Sequence, residues 1–319
     1  MPSAPDFPLL CPVCRKSFRP GADGARTLVC GAGHSFDAAK QGYFNFLVGK
    51  GTAFEADTAE MVAARFEFLS AGHYQPLADA VAELAAPALA GAREGRPTVL
   101  DAGTGTGHYL RTLLDRIGSN RSESNRVEGG GVRPESIGPE NMPVAALGLD
   151  ISKFALRRAA RLNPEALNVV ADVWQPLPVA DNAVDAVTVI FSPRNVPEFA
   201  RVLRPGGRLV VVTPRPGHLA EIAGQTGMLG IEPAKDERLA ASLGGHFAPV
   251  VARDLDLALA LSPRDVTRLA FMGPAGHHLD RAALAALEAA LPPSTSVSAR
   301  FRISVFAPTA KPDRLNPMA

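Results

Sequence analysis

Four side chains near the start of the chain have the types and the spacing of zinc ligands. They are Cys11, Cys14, Cys30 and His34, and they include every cysteine of the sequence. A Cys-x2-Cys turn places two thiolates on one side of an ion, and the Cys-x3-His turn completes a tetrahedron. Four protein ligands leave no open position for a catalytic water, which indicates a structural zinc. The alternative is three unrelated thiols near a chance histidine.

The second pattern that could take part in chemistry is a strand followed by a glycine-rich turn. The turn follows an apolar run that begins at Thr98, and it holds Asp101, Gly103, Gly105, Thr106 and Gly107. Glycines lack side chains, so a cofactor can approach the backbone and the N-terminus of the helix that follows. Gly-x-Gly-x-Gly alone is weak evidence, and the acidic residues around it therefore matter.

Acidic residues end three successive predicted strands, of which Asp101 ends the first. A residue that binds ribose hydroxyls is expected about 20 residues after the turn. Asp150 lies 43 residues after Gly107, but without the 25 residues Ser119–Pro143 the separation is 18. Asp172 ends the third strand, where an adenine amino group would need an acceptor. Three strand-end carboxylates favour S-adenosylmethionine over a nicotinamide cofactor, whereas for any single Asp a helix N-cap is the alternative.

Three further features have both a functional and a structural interpretation. The loop Phe191–Asn195 faces the ligand crevice of a doubly wound sheet, or it is a plain strand-to-helix turn. His218 reaches the cofactor or caps a helix, and Tyr74 alone is more typical of a core than of a cofactor lid. The aromatic and basic stretch Phe36–Lys50 suits stacking with RNA bases, or its aromatic rings form the core beneath the zinc.

The elements that must position these residues follow an alternating pattern. From Thr98 onwards, short apolar runs alternate with helical patterns, which predicts a parallel sheet buried on both faces. The predicted strands are Thr98–Ala102, Ala145–Asp150, Asn168–Ala171, Ala186–Phe191, Arg208–Thr213, Asp254–Leu261 and Val297–Val305. The predicted helices are Asp57–Ser70, Leu77–Leu89, Tyr109–Ile117, Lys153–Leu162, Pro197–Leu203, His218–Met228, Lys235–Leu243 and Asp280–Leu291.

The expected fold class is α/β, a class I (Rossmann-like) methyltransferase with a doubly wound sheet and a small N-terminal zinc-binding module. Residues 1–52 are predicted to form a zinc-binding RNA-recognition module and residues 53–97 a helical linker or lid. Residues 98–319 then form the S-adenosylmethionine-dependent domain. The polar segment 118–143 has almost no bulky apolar residue, and we expect it to be a disordered insertion.

Composition limits the partners and the compartment. The formal net charge is only +1, so no global positive field would hold nucleic acid without discrimination. The first ten residues lack a secretory pattern, and no apolar run approaches the length of a membrane span. An odd number of cysteines within one short segment argues against a disulfide framework. We expect a cytoplasmic protein without a membrane partner.

Taken together, these motifs resemble the RlmA/TlrB family of 23S rRNA (guanine-N1)-methyltransferases, and the TlrB-like branch in particular. The most specific motif is the zinc pattern followed by Gly42-Tyr43-x-Asn45-Phe46-Leu47. The other carriers are Ala71-Gly72-His73-Tyr74-x-Pro76-Leu77, the glycine turn, Ala171-Asp172-Val173-Trp174, Phe191-x-Pro193-Arg194-Asn195 and Thr213-Pro214-x3-His218-Leu219. The resemblance covers nearly the whole chain.

The resemblance implies the ligands, the substrate and the assembly. It implies that the four N-terminal residues bind zinc and that Tyr74, Gly105, Thr106 and His218 contact S-adenosylmethionine. The implied substrate is a guanine in a hairpin loop of 23S rRNA that lines the ribosomal exit tunnel. Such enzymes tend to be homodimers, and the TlrB-like branch is associated with macrolide resistance.

Catalysis at guanine N1 requires an unpaired base and stabilisation of the negative charge that remains when the N1 proton leaves. Arg194 is the candidate to hold guanine O6, with Asn195 and the region of Ser192 orienting the ring. This loop contains no carboxylate that could accept the proton. The alternatives are a methyltransferase for a small metabolite or a protein, and a non-catalytic zinc-dependent RNA-binding protein.

Overall fold

The structure is a computed structural model. It describes residues 7–19, 26–49, 52, 54–91, 96–127, 143–226 and 241–309. The strands are β1 (Thr27–Val29), β2 (Ser35–Asp37), β3 (Phe44–Asn45), β4 (Thr98–Ala102), β5 (Ala145–Asp150), β6 (Leu167–Val170), β7 (Val184–Ile190), β8 (Leu203–Pro214), β9 (Phe247–Leu261) and β10 (Thr295–Pro308). The helices are α1 (Ala59–Ser70), α2 (Gln75–Ala90), α3 (His108–Val127), α4 (Lys153–Leu162), α5 (Val196–Val202), α6 (Ala220–Thr226), α7 (Pro263–Phe271) and α8 (Arg281–Ala290).

Eight of these strands form one sheet, in the order β3-β6-β5-β4-β7-β8-β10-β9. All neighbours pair in parallel except β10, which is antiparallel to both β8 and β9. From β4 the chain progresses outwards to β5 and β6, and it then crosses to β7 and β8 on the other side of β4. Ligands bind where the strand order reverses in such a sheet. The doubly wound α/β fold is confirmed, and the crevice lies beyond the ends of β4 and β7.

The central strands are apolar runs because both of their faces are covered. Every residue of β4 and β7 is buried, which is the environment that continuous Val, Leu and Ala favour in parallel sheets. The crossover helix α4 begins at a side-chain cap, where the Ser152 hydroxyl accepts a hydrogen bond from the Ala155 amide. Such caps satisfy amide groups that have no partner within the helix.

Several predicted boundaries differ from the observed ones. β4, β5 and α4 have the predicted limits, but β8 begins at Leu203 instead of Arg208, and β9 begins at Phe247 instead of Asp254. The early part of β9 has no apolar alternation because it is exposed at the sheet edge, and its pairing with β10 supplies its order.

The predicted polar insertion is also partly different. The chain from Gly118 to Val127 continues α3, where disorder was predicted. The remainder of that segment, residues 128–142, lies outside the described residues. The same holds for Lys50, for the end of the predicted helix His218–Met228 and for most of Lys235–Leu243.

The N-terminal module is joined to the main sheet. Its strand β3 pairs in parallel with β6, so that Phe44 lies opposite Val169. Phe44 and Phe46 are buried in the same apolar core as the sheet, and the Phe36 ring packs on Phe46 with a centroid distance of 4.8 Å. For these rings the structure therefore supports the core alternative. A short module gains apolar contacts here that it could not supply alone.

The segment predicted as a linker is a structural layer. Leu77, Val81 and Leu89 of α2 pack with Val99 of β4 in one buried cluster, and α2 also packs against α3. α1 packs between α7 and α4, which brings its residues close to the crevice. Within the described ranges, no helix is both long enough and apolar enough to cross a bilayer.

Candidate functional site

The predicted zinc ligands converge at one point. The ligand atoms of Cys11, Cys14, Cys30 and His34 all lie within 4.8 Å of one another. The Sγ atoms of Cys14 and Cys30 are 3.6 Å apart, and Cys30 Sγ lies 3.4 Å from His34 Nδ1. A zinc ion bonded to sulfur at about 2.3 Å in tetrahedral geometry requires ligand separations of this order. The donor set and its spacing therefore fit zinc.

Local backbone geometry prepares this cluster for a metal. The Cys30 amide donates a hydrogen bond to the His34 carbonyl and so closes the second turn. Burial opposes ionisation of Cys30, but hydrogen bonds from the amides of Ala32 and His34 lower its pKa to about 6. Burial raises the pKa of Cys11. Hydrogen bonds that favour the thiolate at one ligand are typical of a site that binds a cation.

The glycine turn lies where the sequence predicted it, between β4 and α3. Gly103 has φ +83°, and a Cβ added there would lie 2.0 Å from the Ser192 hydroxyl oxygen. Gly107 has φ +87°, and its Cβ would lie 2.5 Å from the Asn163 amide nitrogen. The close approach of the loop at Ser192 therefore depends on a missing side chain, and any residue other than glycine would also be strained.

Asp101 is buried beneath this turn. One carboxylate oxygen accepts a hydrogen bond of 2.6 Å from the Thr188 hydroxyl, whereas the buried Oδ2 atom has no hydrogen-bond partner among the described residues. Burial raises the pKa of this carboxyl. Buried acceptors are nearly always satisfied in folded proteins, so Oδ2 fits a site that a ligand with a donor group completes.

The other two strand-end carboxylates have partners in the surrounding loops. Asp150 accepts hydrogen bonds from the amides of Gly105 and Ser152, at 2.9 and 2.8 Å. Burial raises its pKa, and these two bonds oppose that effect. Asp172 accepts from the Trp174 amide, also at 2.9 Å. Both residues form local turns as well as pointing carboxylates at the crevice end of the sheet.

The two predicted catalytic residues, Arg194 and Asn195, lie in the loop after β7 and have different contacts. Arg194 is partly buried, burial lowers its pKa, and no carboxylate of the described residues pairs with it. The Asn195 side-chain amide donates to the Val173 carbonyl at 2.9 Å, which ties this loop to the one that follows Asp172. Arg194 thus remains available to an anion, while the amide nitrogen of Asn195 is engaged by protein.

Phe191 begins the loop that was predicted to face the crevice, but the sequence did not reveal its conformation or its packing. Its φ is +55°, a costly conformation for an aromatic residue that is typical of functional sites, and its side chain is 47% exposed. The ring leans on Phe301 of β10, with a centroid distance of 5.7 Å. The same Phe301 ring contacts Tyr74 and His218, at 5.1 and 4.8 Å. Two predicted cofactor contacts thus share one aromatic floor.

Tyr74 and His218 differ in exposure within this floor. Tyr74 is 4% exposed and its burial raises its pKa above the usual range, as the core interpretation predicts. The Nδ1 atom of His218 accepts a hydrogen bond of 3.0 Å from the Arg300 amide. That bond holds the imidazole ring against β10. Helix α6 begins at Ala220, two residues after His218.

Two further residues at the crevice were missed by sequence reasoning. Arg65 of α1 pairs with Asp57, donates to the Met272 carbonyl at 2.5 Å, and its Cδ would contact a Cβ at Gly105. An arginine on the apolar face of α1 was the available signal. The Thr52 hydroxyl donates to Asp172 at 2.9 Å, for which the sequence offers no signal.

The pH dependence of stability can test the surroundings of His108, the first residue of α3. Its ring nitrogens lie 2.9 Å from the Thr106 hydroxyl and 3.1 Å from the Ser70 hydroxyl. Burial lowers its pKa from 6.5 to about 4, so the unfolded chain binds a proton that the folded chain does not. Stability is therefore complete above pH 6.5 and decreases as the pH falls towards 4.

We expect His108→Gln to reduce this pH dependence. Between pH 7 and pH 5 the variant should lose about 1 kcal/mol less unfolding free energy than the wild type, after allowance for partial exposure. Urea unfolding of both proteins at the two pH values measures these losses. Comparison of the two proteins cancels the contribution of the carboxylates that they share. Identical losses in the two proteins would contradict the buried, neutral state of His108.

The fold and the site define a class I methyltransferase. A family model described as a methyltransferase domain matches residues 129–211. A second model, the N-terminal zinc ribbon of RlmA, matches residues 9–48, which include all four predicted zinc ligands. The zinc-ribbon prediction is thereby confirmed at the level of the domain.

Relatives of similar length identify the family. The chain is 41% identical over 301 residues to the 23S rRNA (guanine(748)-N(1))-methyltransferase of Streptomyces fradiae, with 94% of this chain and 96% of the relative covered. A Micromonospora griseorubida protein provisionally named a 23S rRNA (guanine-N(1)-)-methyltransferase is 43% identical, with 94% and 97% covered. A Bacillus subtilis protein with the same provisional name is 32% identical over 68% of each chain. The chain belongs to the family of 23S rRNA (guanine-N1)-methyltransferases.

Proposed function

We propose that this protein transfers a methyl group from S-adenosylmethionine to N1 of a guanine in a hairpin loop of 23S rRNA. The proposal rests on two features of the described residues. One is the zinc-ligand cluster, and the other is a crevice in which Asp101 Oδ2 has no hydrogen-bond partner and Arg194 has no carboxylate partner. The relative in Streptomyces fradiae acts on guanine 748 by its name. The family resemblance also supports a homodimer, action in the cytoplasm and a role in macrolide resistance.

The cofactor would be held by the crevice end of the sheet. Asp150 would accept hydrogen bonds from the ribose hydroxyls and Asp172 from the adenine amino group, while Asp101 would accept from a donor on the methionine portion. The glycines and Thr106 would admit the cofactor to the helix N-terminus, with Tyr74 and His218 bordering it on the aromatic floor. When bound, S-adenosylmethionine supplies an electrophilic methyl group.

The loop after β7 would carry out the part of the reaction that belongs to the protein. Arg194 would donate to guanine O6, where negative charge accumulates as the N1 proton leaves. Asn195 would act by holding the loop against Val173, so that Arg194 and the half-exposed Phe191 ring face the base. Positioning of the attacking nitrogen supplies most of the rate enhancement in such a displacement.

The zinc ion would be bound by Cys11, Cys14, Cys30 and His34 and would stabilise the module. Because β3 of this module pairs with β6 in the main sheet, the ion would also support the strand that leads to Asp172. The role of the module in RNA recognition stays a prediction.

Methyl transfer to defined substrates tests the proposed function and its alternatives. The zinc-loaded protein is incubated with methyl-labelled cofactor and with protein-free 23S rRNA, a metabolite extract or total protein. Label should enter only the RNA, and reverse transcriptase should stop at one guanine because an N1 methyl blocks pairing. Label in metabolites or protein would contradict the RNA substrate, and the absence of transfer to any acceptor would favour the non-catalytic alternative.

A further inference from the structure

The outer face of α4 carries an unusual concentration of positive charge. The ten residues of this helix include Lys153, Arg157, Arg158 and Arg161 and no acidic residue. The opposite side of the helix is buried, with Ala155, Leu156, Ala159 and Ala160 packed into the protein. All four cations therefore lie on the solvent side of one short helix. We call these four residues the α4 basic face.

This arrangement is unfavourable for the isolated fold. Lys153, Arg157 and Arg161 are spaced at i, i+4 and i+8, and like charges at that spacing destabilise a helix. Lys153 is also the first residue of the helix, where the helix dipole disfavours a cation. Each cost is small, and an external anion bound near these side chains would offset both.

The protein does not neutralise these charges itself. Within the part of the chain that the structure describes, no carboxylate forms an ion pair with the α4 basic face, and Arg157 Nε is buried without a hydrogen-bond partner. Several partly buried arginines elsewhere in the described chain form ion pairs with carboxylates. The examples are Arg111 with Asp115 and Glu165, Arg201 with Asp181 and Glu198, Arg204 with Asp185, and Arg268 with Asp265 and Glu67.

Aromatic rings hold the cationic groups in position instead. Lys153 Nζ and the Arg157 guanidinium lie over the Phe154 ring, at 5.3 and 5.2 Å from its centre, and the Arg158 guanidinium lies 4.7 Å from the centre of Phe66 in α1. A cation–π contact orders the side chain but leaves its net charge unchanged. The face is thus ordered and still positively charged.

The position of α4 suits a substrate that reaches both the crevice and the zinc module. Lys153 follows Asp150 by three residues at the crevice end of the sheet, and the stripe to Arg161 is about 12 Å long. On its other side, Ala39 and Leu47 of the module pack on the same cluster as Phe154. The exposed Lys40 comes directly after Ala39. The charge therefore extends from the crevice towards the module.

We propose that the α4 basic face binds the phosphate backbone of the RNA substrate and so fixes the hairpin over the crevice. The inference rests on the proposed function for the identity of the polyanion. Its chemistry is complementary to consecutive phosphates, which contribute affinity and register without sequence information. Base selection remains with the loop after β7.

A charge-neutral triple variant, Lys153→Gln/Arg157→Gln/Arg161→Gln, tests the inference. Filter binding of protein-free 23S rRNA is measured over a series of KCl concentrations. We expect at least a tenfold weaker affinity, and we expect the slope of log affinity against log salt to decrease by about 2, since each lost phosphate contact contributes roughly 0.7. The affinity for S-adenosylhomocysteine should not change.

The matched control removes the same charge elsewhere, as Arg253→Gln/Arg264→Gln/Arg281→Gln, and should keep the wild-type slope. If the triple variant misfolds, Lys153→Gln/Arg161→Gln leaves Arg157 on Phe154 and should decrease the slope by about 1.4. An unchanged slope in the folded α4 variants would overturn the inference. So would unchanged RNA binding together with lost retention on phosphatidylserine vesicles, which would assign the face to a membrane.

Assays of the wild-type protein distinguish a failure of the inference about α4 from a failure of the proposed function. If it methylates the RNA and the α4 variants bind RNA as it does, the inference about α4 fails and the proposed function stands. If the wild type neither binds nor methylates the RNA, the proposed function itself fails.

Discussion

Replacement of Arg194 by alanine is expected to lower the rate of methyl transfer to 23S rRNA by about 100- to 1000-fold, the range found when a charge-stabilising donor is lost. The guanidinium is partly buried and has no carboxylate partner among the described residues. Its removal therefore breaks no internal ion pair, and the loss should appear in turnover with excess RNA. Steady-state assays with saturating RNA and saturating labelled cofactor measure it.

The matched variants separate chemistry from folding. Arg194→Lys retains the charge but not the planar pair of donors, and it should recover part of the lost rate. Arg204→Ala is the contrasting control, because Arg204 pairs with the buried Asp185 and its loss should reduce stability more than turnover. Unchanged turnover in a folded Arg194→Ala protein would remove Arg194 from the mechanism.

Cys30→Ser is expected to abolish stoichiometric zinc binding and, with it, methyl transfer. The four ligand atoms lie within 4.8 Å of one another, and a structural zinc supplies much of the folding free energy of a small module. The damage should reach the catalytic domain because β3 of the module pairs with β6, whose loop carries Asp172. Zinc content per chain, melting temperature and limited proteolysis are the measurements.

Val13→Ala is a suitable control for the metal site. Val13 lies in the same Cys-x2-Cys turn but is 52% exposed, so the variant should keep one zinc per chain and the wild-type melting temperature. A Cys30→Ser protein with full zinc content and an unchanged melting temperature would contradict the structural role. Chelation of the wild type should reproduce the behaviour of Cys30→Ser.

Much of the site could be predicted from the sequence because it depends on local spacing. The four zinc ligands lie in two short turns, and the ligand spacing within each turn is visible in the sequence. The strand ends were predicted because both faces of the parallel strands are buried, so each strand is an apolar run with a polar residue at its end. The limits of β4, β5 and α4 were predicted to the residue.

The remaining features depend on contacts between distant segments. The pairing of β3 with β6 joins residues more than 120 positions apart, and nothing in a two-residue strand identifies its partner. The same is true of the hydrogen bond between Thr52 and Asp172. The positive φ of Phe191 is a tertiary effect, because a backbone conformation that is strained by itself requires surrounding contacts to maintain it.

The cofactor site is the part of the account on which every functional step depends. Isothermal titration calorimetry of the zinc-loaded protein with S-adenosylhomocysteine tests it without RNA and without turnover. We predict saturable binding at one site per chain for the wild type. For Asp150→Ala we predict an affinity at least tenfold lower, while Asp181→Ala, at an exposed carboxylate that pairs with Arg201, should bind like the wild type. The absence of binding heat in the wild type at several temperatures, or an unchanged affinity in Asp150→Ala, would contradict the account.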